Sequence, residues 1–287
     1  MKHYIYLTIL LPFLLAQCTQ PADNTSNKTN TPLTAKYKAV NTTYALLRTK
    51  DSIRNITRNY TPAQLAVLYA VNRMDSANIT RQDSVIIPAN LNNDVNAYSP
   101  FPQTLPFARD INKIVFFSYP AQYFAAYEHG VLIHSGPTNM GREKDPTPTG
   151  LFFTNWKAEE TKSTFNDEWE LKWNFNIQNK EGVGWHQYTL PGYPASHSCL
   201  RMLESDARFM YNWADQWTVK GTDEVLAQGT PVIVFGSYPF GGAKPWMKLT
   251  TNPQAMNITA DQLQKETAPH LEEIMKEQQK RAAQSAN

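Results

Sequence analysis

Cysteine is nearly absent from this 287-residue chain: there are two, Cys18 and Cys199, so no disulfide framework can stand behind the fold. An excess of one charge is missing as well. The 27 basic and 25 acidic residues are mixed along the chain and leave a formal net charge of +2, which excludes the basic stripe of a nucleic-acid binder. No apolar run reaches the roughly 20 residues that a membrane-spanning helix needs. The mean hydropathy of −0.49 likewise argues against a multi-span membrane protein. What is present is apolar material for a core, 41% of residues, of which the aromatics are a large part.

A length of 287 residues exceeds one compact domain of usual size, and texture changes along the chain suggest where to divide it. Residues 1–18 carry Lys2 and then an apolar stretch from Tyr4 to Ala16, the length of a signal peptide. The stretch ends in Leu15-Ala16-Gln17-Cys18, which resembles the lipobox of bacterial lipoproteins. That resemblance implies export to the periplasm or cell envelope and a membrane anchor through lipidated Cys18; cleavage to a soluble product is the other reading. Residues 19–36 are Thr, Asn, Ser and Pro with one large aliphatic residue, Leu33, and read as a flexible linker.

Residues 37–100 read as a small helical or mixed unit. Thr61-Pro62 with Gln64 forms a capping box, Leu65, Leu68 and Tyr69 share a helical face, and Val85 to Pro88 is a strand closed by proline. Its end faintly resembles the second half of a lysin-motif repeat, a glycan-binding module. From 110 to 237 the chain turns to short β-rich runs. Ile114–Phe117, Tyr123–Tyr127 and Val131–Ile133 are strand-like, Glu128-His129-Gly130 is a tight hairpin turn, and Trp169–Phe175 and Thr230–Phe235 are further strands. One amphipathic helix, with Ser205 as its cap, interrupts them. Residues 238–287 form a C-terminal extension with a helical tail, started by Thr259 and Gln262 and divided by Pro269, which reads as a solvated appendage.

The chemistry concentrates between Trp185 and Met202, which hold two of the six histidines, the one thiol that lipidation would not consume, and an arginine. An unpaired cysteine in an exported protein is open to oxidation, and a nucleophile is the leading reason to keep one. A buried inert thiol or a Cys18–Cys199 disulfide are the bland alternatives. The thiolate is the attacking species, so it needs a neighbour to take its proton, and His186 or His197 can supply that. By ligand type alone, His186, His197 and Cys199 could also hold zinc.

The run Ser196-His197-Ser198-Cys199-Leu200-Arg201-Met202, with His186 and the loop Leu190 to Ala195 before it and Thr147-Pro148-Thr149-Gly150 upstream, resembles the catalytic motif of the L,D-transpeptidases. The family's usual form is Ser-His-Gly-Cys followed by an aliphatic residue and Arg. The resemblance implies a mainly β fold, a β-sandwich catalytic domain with a short helix, flanked here by the N-terminal unit and the helical tail. It implies Cys199 as nucleophile, His186 as general base, and His197 shaping the oxyanion pocket and orienting the loop. Arg201, Ser196, Ser198, Tyr188 and Tyr193 become candidate substrate contacts. Peptidoglycan stem peptides are the implied partner: a Cys199 thioester forms with release of D-alanine and passes to an amine. No metal and no organic cofactor is implied, and no nucleic acid. A hydrolase resolving the same thioester with water, and an inactive wall-binding lipoprotein, are the competing readings. Two positions depart from the family: Ser198 stands at its glycine, and Gln187 where a glycine often follows the base. Of the other histidines, His129 and His134 read as structural and His270 as part of the solvated tail, and Trp169, Trp173 and Trp185 read as packing.

Overall fold

The structure, a computed structural model, describes residues 1, 32–91, 94–163, 170–221 and 224–285. The signal-peptide stretch, Cys18, most of the linker and Trp169 lie outside the described residues. No helix among the described residues is long and apolar enough to cross a membrane. Residues Leu33–Asn287 form one compact unit.

The first elements are β1 (Tyr44–Arg48), α1 (Lys50–Asn59), α2 (Pro62–Asn72), α3 (Ser76–Ile79) and β2 (Ser84–Pro88), with β1 and β2 paired antiparallel from Tyr44↔Pro88 to Arg48↔Ser84. Helix α2 starts on the capping box that the sequence shows: the Thr61 hydroxyl accepts from Gln64 N–H, and the Gln64 side chain reaches back to Thr61 N–H. Its last residue, Asn72, ties helix to strand. The buried Asn72 amide donates to the carbonyls of Leu68 and Ile86, both at 2.8 Å, and its oxygen accepts from Ile86 N–H at 2.8 Å. Arg73 then turns left-handed (φ 58°) and points inward, 3% exposed. Its Nε donates to Ala121 O at 2.9 Å and the guanidinium lies 4.8 Å from the Tyr123 ring centroid, which rivets this small unit to the large sheet. Burial pulls the Arg73 pKa down to about 10.

The large sheet contains β3 (Lys113–Ser118), β4 (Tyr123–Glu128), β5 (Val131–Asn139), β6 (Gly150–Phe153), β7 (Lys157–Lys162), β8 (Glu170–Gln178), β9 (Val183–Gln187), β10 (Leu200–Met202) and, after α4 (Glu204–Trp213) and the small hairpin β11 (Thr218–Lys220) and β12 (Glu224–Ala227), β13 (Pro231–Phe235). The nine strands run in the order β6-β13-β3-β4-β5-β10-β9-β8-β7. The turn from β4 to β5 is the expected two-residue hairpin: Glu128 pairs with Val131, and His129 and Gly130 have φ of 47° and 74°.

Side-chain alternation explains why β3, β4 and β13 read as nearly unbroken apolar runs. Ile114, Phe116, Tyr123, Ala125, Tyr127, Ile233 and Phe235 face one core, whereas Val115, Phe117, Phe124, Ala126, Val232 and Val234 face another. The second core is closed by Phe175, Trp185, Leu200 and Met202 of the far half of the sheet and by Ala207 and Met210 of α4, so the sheet curls on itself around that helix. The fold is mainly β, as the sequence implies. The first core is closed from outside by Ala70 of α2, Leu105, Ala108, Ile258, Leu263 of α5 (Ala260–Thr267) and Ile274 of α6 (Leu271–Ser285).

Two local readings change. Helix α4 begins one residue before Ser205, with Leu203 in the cap position and no side-chain cap; Asp206 turns inward to His134 instead, Nε2 to Oδ1 at 3.0 Å. The C-terminal tail is docked, not a solvated appendage. Besides burying Leu263 and Ile274, it offers Gln278 to Asn112 N–H and Asp110 O, Glu277 to Gln228 N–H, and Arg281 to the carbonyls of Gln216 and Gln228. The division at Pro269 and the Thr259 cap, which accepts from Gln262 N–H, are as read from the sequence.

Candidate active site

Strands β9 and β10 run parallel, with Leu200↔Trp185, Arg201↔His186 and Met202↔Gln187 in register. Leu200, Met202 and Trp185 are claimed by the core, and the period of two then sends Cys199, Arg201 and His186 to the opposite face. Cys199, one residue before β10, and His186 of β9 thereby lie on the same face of neighbouring chain segments. A cleft of about 320 Å³ opens there, lined by His186, Tyr188, Ser196, His197, Cys199 and Arg201, with Leu171 and Ser163 on its far edge. Six of the sequence-selected residues thus share one cavity. Tyr193 and Ser198 are not in its lining: the Tyr193 side chain is exposed, and the Ser198 hydroxyl turns to Asp145 O at 3.4 Å.

His186 is buried, and its Nδ1 lies 3.0 Å from Gln187 O. A carbonyl oxygen only accepts, so Nδ1 carries the proton and Nε2 keeps its lone pair. Burial, reinforced by the charge of Arg201 and against the smaller pull of the Gln187 carbonyl, lowers the pKa to about 4, so the ring is neutral at neutral pH. Cys199 Sγ sits 3.8 Å from Gly182 O. Burial pushes the thiol up, against the smaller opposing effects of a backbone hydrogen bond from Gly184 and the Arg201 charge. The resting pair is therefore thiol and neutral imidazole. Arg201 packs its guanidinium 4.4 Å from the Tyr188 ring centroid, and the Tyr188 ring meets the His186 ring edge-on at 6.0 Å. Among the described residues no group of three or more His, Cys, Asp or Glu is placed to hold a metal ion.

Residues 112–234 match the YkuD family model, the L,D-transpeptidase catalytic domain. Solved structures similar to the chain include an L,D-transpeptidase (Yku) from Stackebrandtia nassauensis, 22% identical over 45% of this chain and 57% of that one, TM-score 0.36. An L,D-transpeptidase from Mycobacterium smegmatis is 20% identical over 44% and 59%, TM-score 0.35. The catalytic domain of the E. faecium L,D-transpeptidase is 23% identical over 44% and 98%, TM-score 0.33. The chain spans under two thirds of the first two. No curated protein matches it.

Within the matched region, a second layer of contacts holds the peptide carrying Cys199. Thr147, of the Thr-Pro-x-Gly turn, donates its hydroxyl proton to Ser198 O at 2.8 Å and accepts from Gly141 N–H at 2.8 Å. Gly141 pairs with Ser196 in a short parallel bridge, flanked by Ser196 N–H to Met140 O and Arg142 N–H to Ser196 O. Ser198 has φ of +77°, a left-handed conformation that explains why a glycine is usual there and that a serine holds only under constraint. Asn139 braces the approach, its amide donating to Tyr193 O and accepting from Ala195 N–H. The sequence reading missed Arg142, Asp145, Asn139, and Met74 and Asp75, which reach the same peptide from α2–α3. Their spacing from Cys199 is long, and no local pattern marks them.

Proposed function

We propose that this protein is a cysteine acyltransferase of the bacterial cell wall, an L,D-transpeptidase acting on peptidoglycan stem peptides. The observation that carries this reading is one cleft lined by both a thiol at Cys199 and an imidazole at His186, the latter with its Nδ1–H held by a carbonyl, which leaves Nε2 as base. In the proposed reaction Sγ–H gives its proton to His186 Nε2 as sulfur attacks the donor carbonyl carbon. The carbon–nitrogen bond breaks, the imidazolium returns the proton to departing D-alanine, and a thioester remains. An amine then attacks that carbonyl and gives its surplus proton to His186, the carbon–sulfur bond breaks, and the departing sulfur takes that proton from the imidazolium, restoring thiol and neutral ring. Because burial disfavours both thiolate and imidazolium, proton transfer is coupled to attack and the enzyme does not idle as an ion pair. Arg201, beside the cleft, suits a substrate carboxylate, and the motif's His197 suits the developing oxyanion.

The test is intact-mass analysis of purified protein with tetrapeptide-bearing wall fragments and, separately, a carbapenem. The expected result is a covalent adduct on Cys199, D-alanine release and amine-dependent transfer, all absent in Cys199→Ala. A wild type forming neither adduct nor product overturns the reading, and release without transfer makes it a carboxypeptidase. We further propose export with a lipid anchor at Cys18. Wild type then partitions into the detergent phase of an envelope extract and Cys18→Ser into the aqueous phase; aqueous wild type overturns the anchor.

A further inference from the structure

The cleft contains two histidines, and a proton-accepting nitrogen on each would leave the thiol with two competing bases. The surroundings of His197 differ from those of His186. Arg142 Nη2 lies 3.1 Å from His197 Nδ1, while Arg142 Nε donates to Asp145 Oδ2. Asp145 Oδ2 is itself 3.4 Å from Nδ1. A guanidinium has only donors and stays charged, so a hydrogen bond from it requires an unprotonated nitrogen as acceptor. The carboxylate would require the reverse, a proton on Nδ1. The shorter contact belongs to Arg142, and the Asp145 oxygen is already engaged by Arg142 Nε.

We infer that Arg142, outside the catalytic motif, is a positioning residue that fixes His197 as the neutral tautomer with its proton on Nε2. The two imidazoles are then held in opposite tautomers. His186, pinned through Nδ1–H to Gln187 O, presents a lone pair; His197, pinned by Arg142 at Nδ1, presents a proton. One ring accepts and the other donates, which removes the competition and gives a donor to an oxyanion. This deepens the acyl-transfer reading and rests on it for its catalytic meaning, although the tautomer itself does not.

The surrounding charges agree. Besides Arg142 and Asp145, Arg201 and Lys144 act on His197; burial first and then Arg142 lower its pKa, with only Asp145 opposing, so a positively charged ring is disfavoured. Arg142 in turn holds the Asp145 carboxyl below its ordinary range, so that carboxylate stays ionised and locked to the guanidinium. The backbone fixes the geometry: Arg142 N–H donates to Ser196 O at 2.9 Å and Asp145 N–H to Arg142 O at 3.0 Å, so the 142–145 turn and the 196–197 peptide move as one piece.

The test is long-range proton–nitrogen NMR on full-length protein labelled at histidine nitrogens, at neutral pH, with His197 assigned by loss of its signals in His197→Gln. The expected wild-type pattern is a pyridine-like Nδ1 and a pyrrole-like Nε2 for His197, and the opposite for His186. A proton on His197 Nδ1 overturns the inference with no variant needed. Arg142→Ala is expected to release His197 into mixed tautomers and to slow Cys199 acylation by up to about a hundredfold with donor KM little changed, the loss of one oriented donor; Arg142→Lys is expected to recover part of both. Asp145→Asn is expected to leave the His197 pattern intact. Unchanged tautomers in Arg142→Ala, or a switch to Nδ1–H in Asp145→Asn, overturn it. An inert wild type with the expected nitrogen pattern would sink the acyl-transfer reading and leave the tautomer assignment standing.

Discussion

The peptide from Leu190 to Ser198 leads to Cys199, and it is gripped near both ends by unlike means. At its start the grip comes from the small N-terminal unit: Leu190 N–H donates to Asp75 Oδ2 at 2.7 Å, Asp75 N–H to Leu190 O at 3.1 Å, and Met74 pairs with Pro191. Gly192, at φ +81°, sits so close to Met74 that a Cβ there would lie 2.4 Å from the methionine methyl. At its end the grip comes from within the matched domain, through the Arg142–Asp145 pair and the Thr147 hydroxyl. The first joins segments 115 residues apart through the backbone and carboxylate of Asp75; the second, an ion pair and a hydroxyl, is local to the cleft. The N-terminal unit is thus part of the architecture around the candidate site, holding the loop as directly as the matched domain does.

The largest expected effect falls on the whole compact unit that both grips serve, through acid. The His186 pKa is depressed to about 4 in the folded state, against about 6.5 unfolded. The unfolded chain therefore binds the proton first as pH falls, so this stabilisation is complete above pH 6.5 and is lost between about 6.5 and 4. It amounts to about 3 kcal/mol. Thermal melts across that window should show a fall in Tm for wild type that is shallower in His186→Gln; equal slopes would remove burial of a neutral ring as its cause.

Asp75→Ala strikes the N-terminal grip alone. It strands Leu190 N–H and the Asn78 amide groups that Asp75 also accepts, at a cost of about 2 kcal/mol. Cys199 acylation should slow with it, and an unchanged rate would show that the N-terminal unit is a passenger. Thr147→Val strikes the other grip, costing about 1.5 kcal/mol for the unsatisfied Ser198 carbonyl and Gly141 N–H. In the double variant the two losses should add within about 0.5 kcal/mol if the grips are independent; denaturant titration reads the coupling directly. The smallest effect has the opposite sign. Ser198→Gly relieves the left-handed strain and should stabilise by about 1 kcal/mol, less the entropy glycine adds to the unfolded chain. Destabilisation instead would mean that the Ser198 contact to Asp145 O outweighs the strain.

The sequence made legible what is written in short range. Alternation and turn residues disclosed β3, β4, β13 and the His129-Gly130 hairpin, and the Ser196–Met202 run disclosed the cleft. The start of α4 was misread because a serine cap is a local signal, whereas Asp206 answers to His134, 72 residues away. The tail was taken for solvated because its apolar anchors, Ile258, Leu263 and Ile274, are few and widely spaced, and much of its attachment is polar side chain to distant backbone. Arg142 was passed over because a charge in a loop has no period to betray it, and its partner ring is 55 residues on.

The double-faced burial of β3, β4 and β13 bears on how the molecule can be cut. A fragment trimmed to residues 112–234 would keep the core wrapped around α4 but strip the covering from Phe116, Tyr127 and Ile233, leaving a wet greasy slab on its back. Such a fragment should clump in solution, and whoever expresses this protein will need both flanks to keep it dispersed.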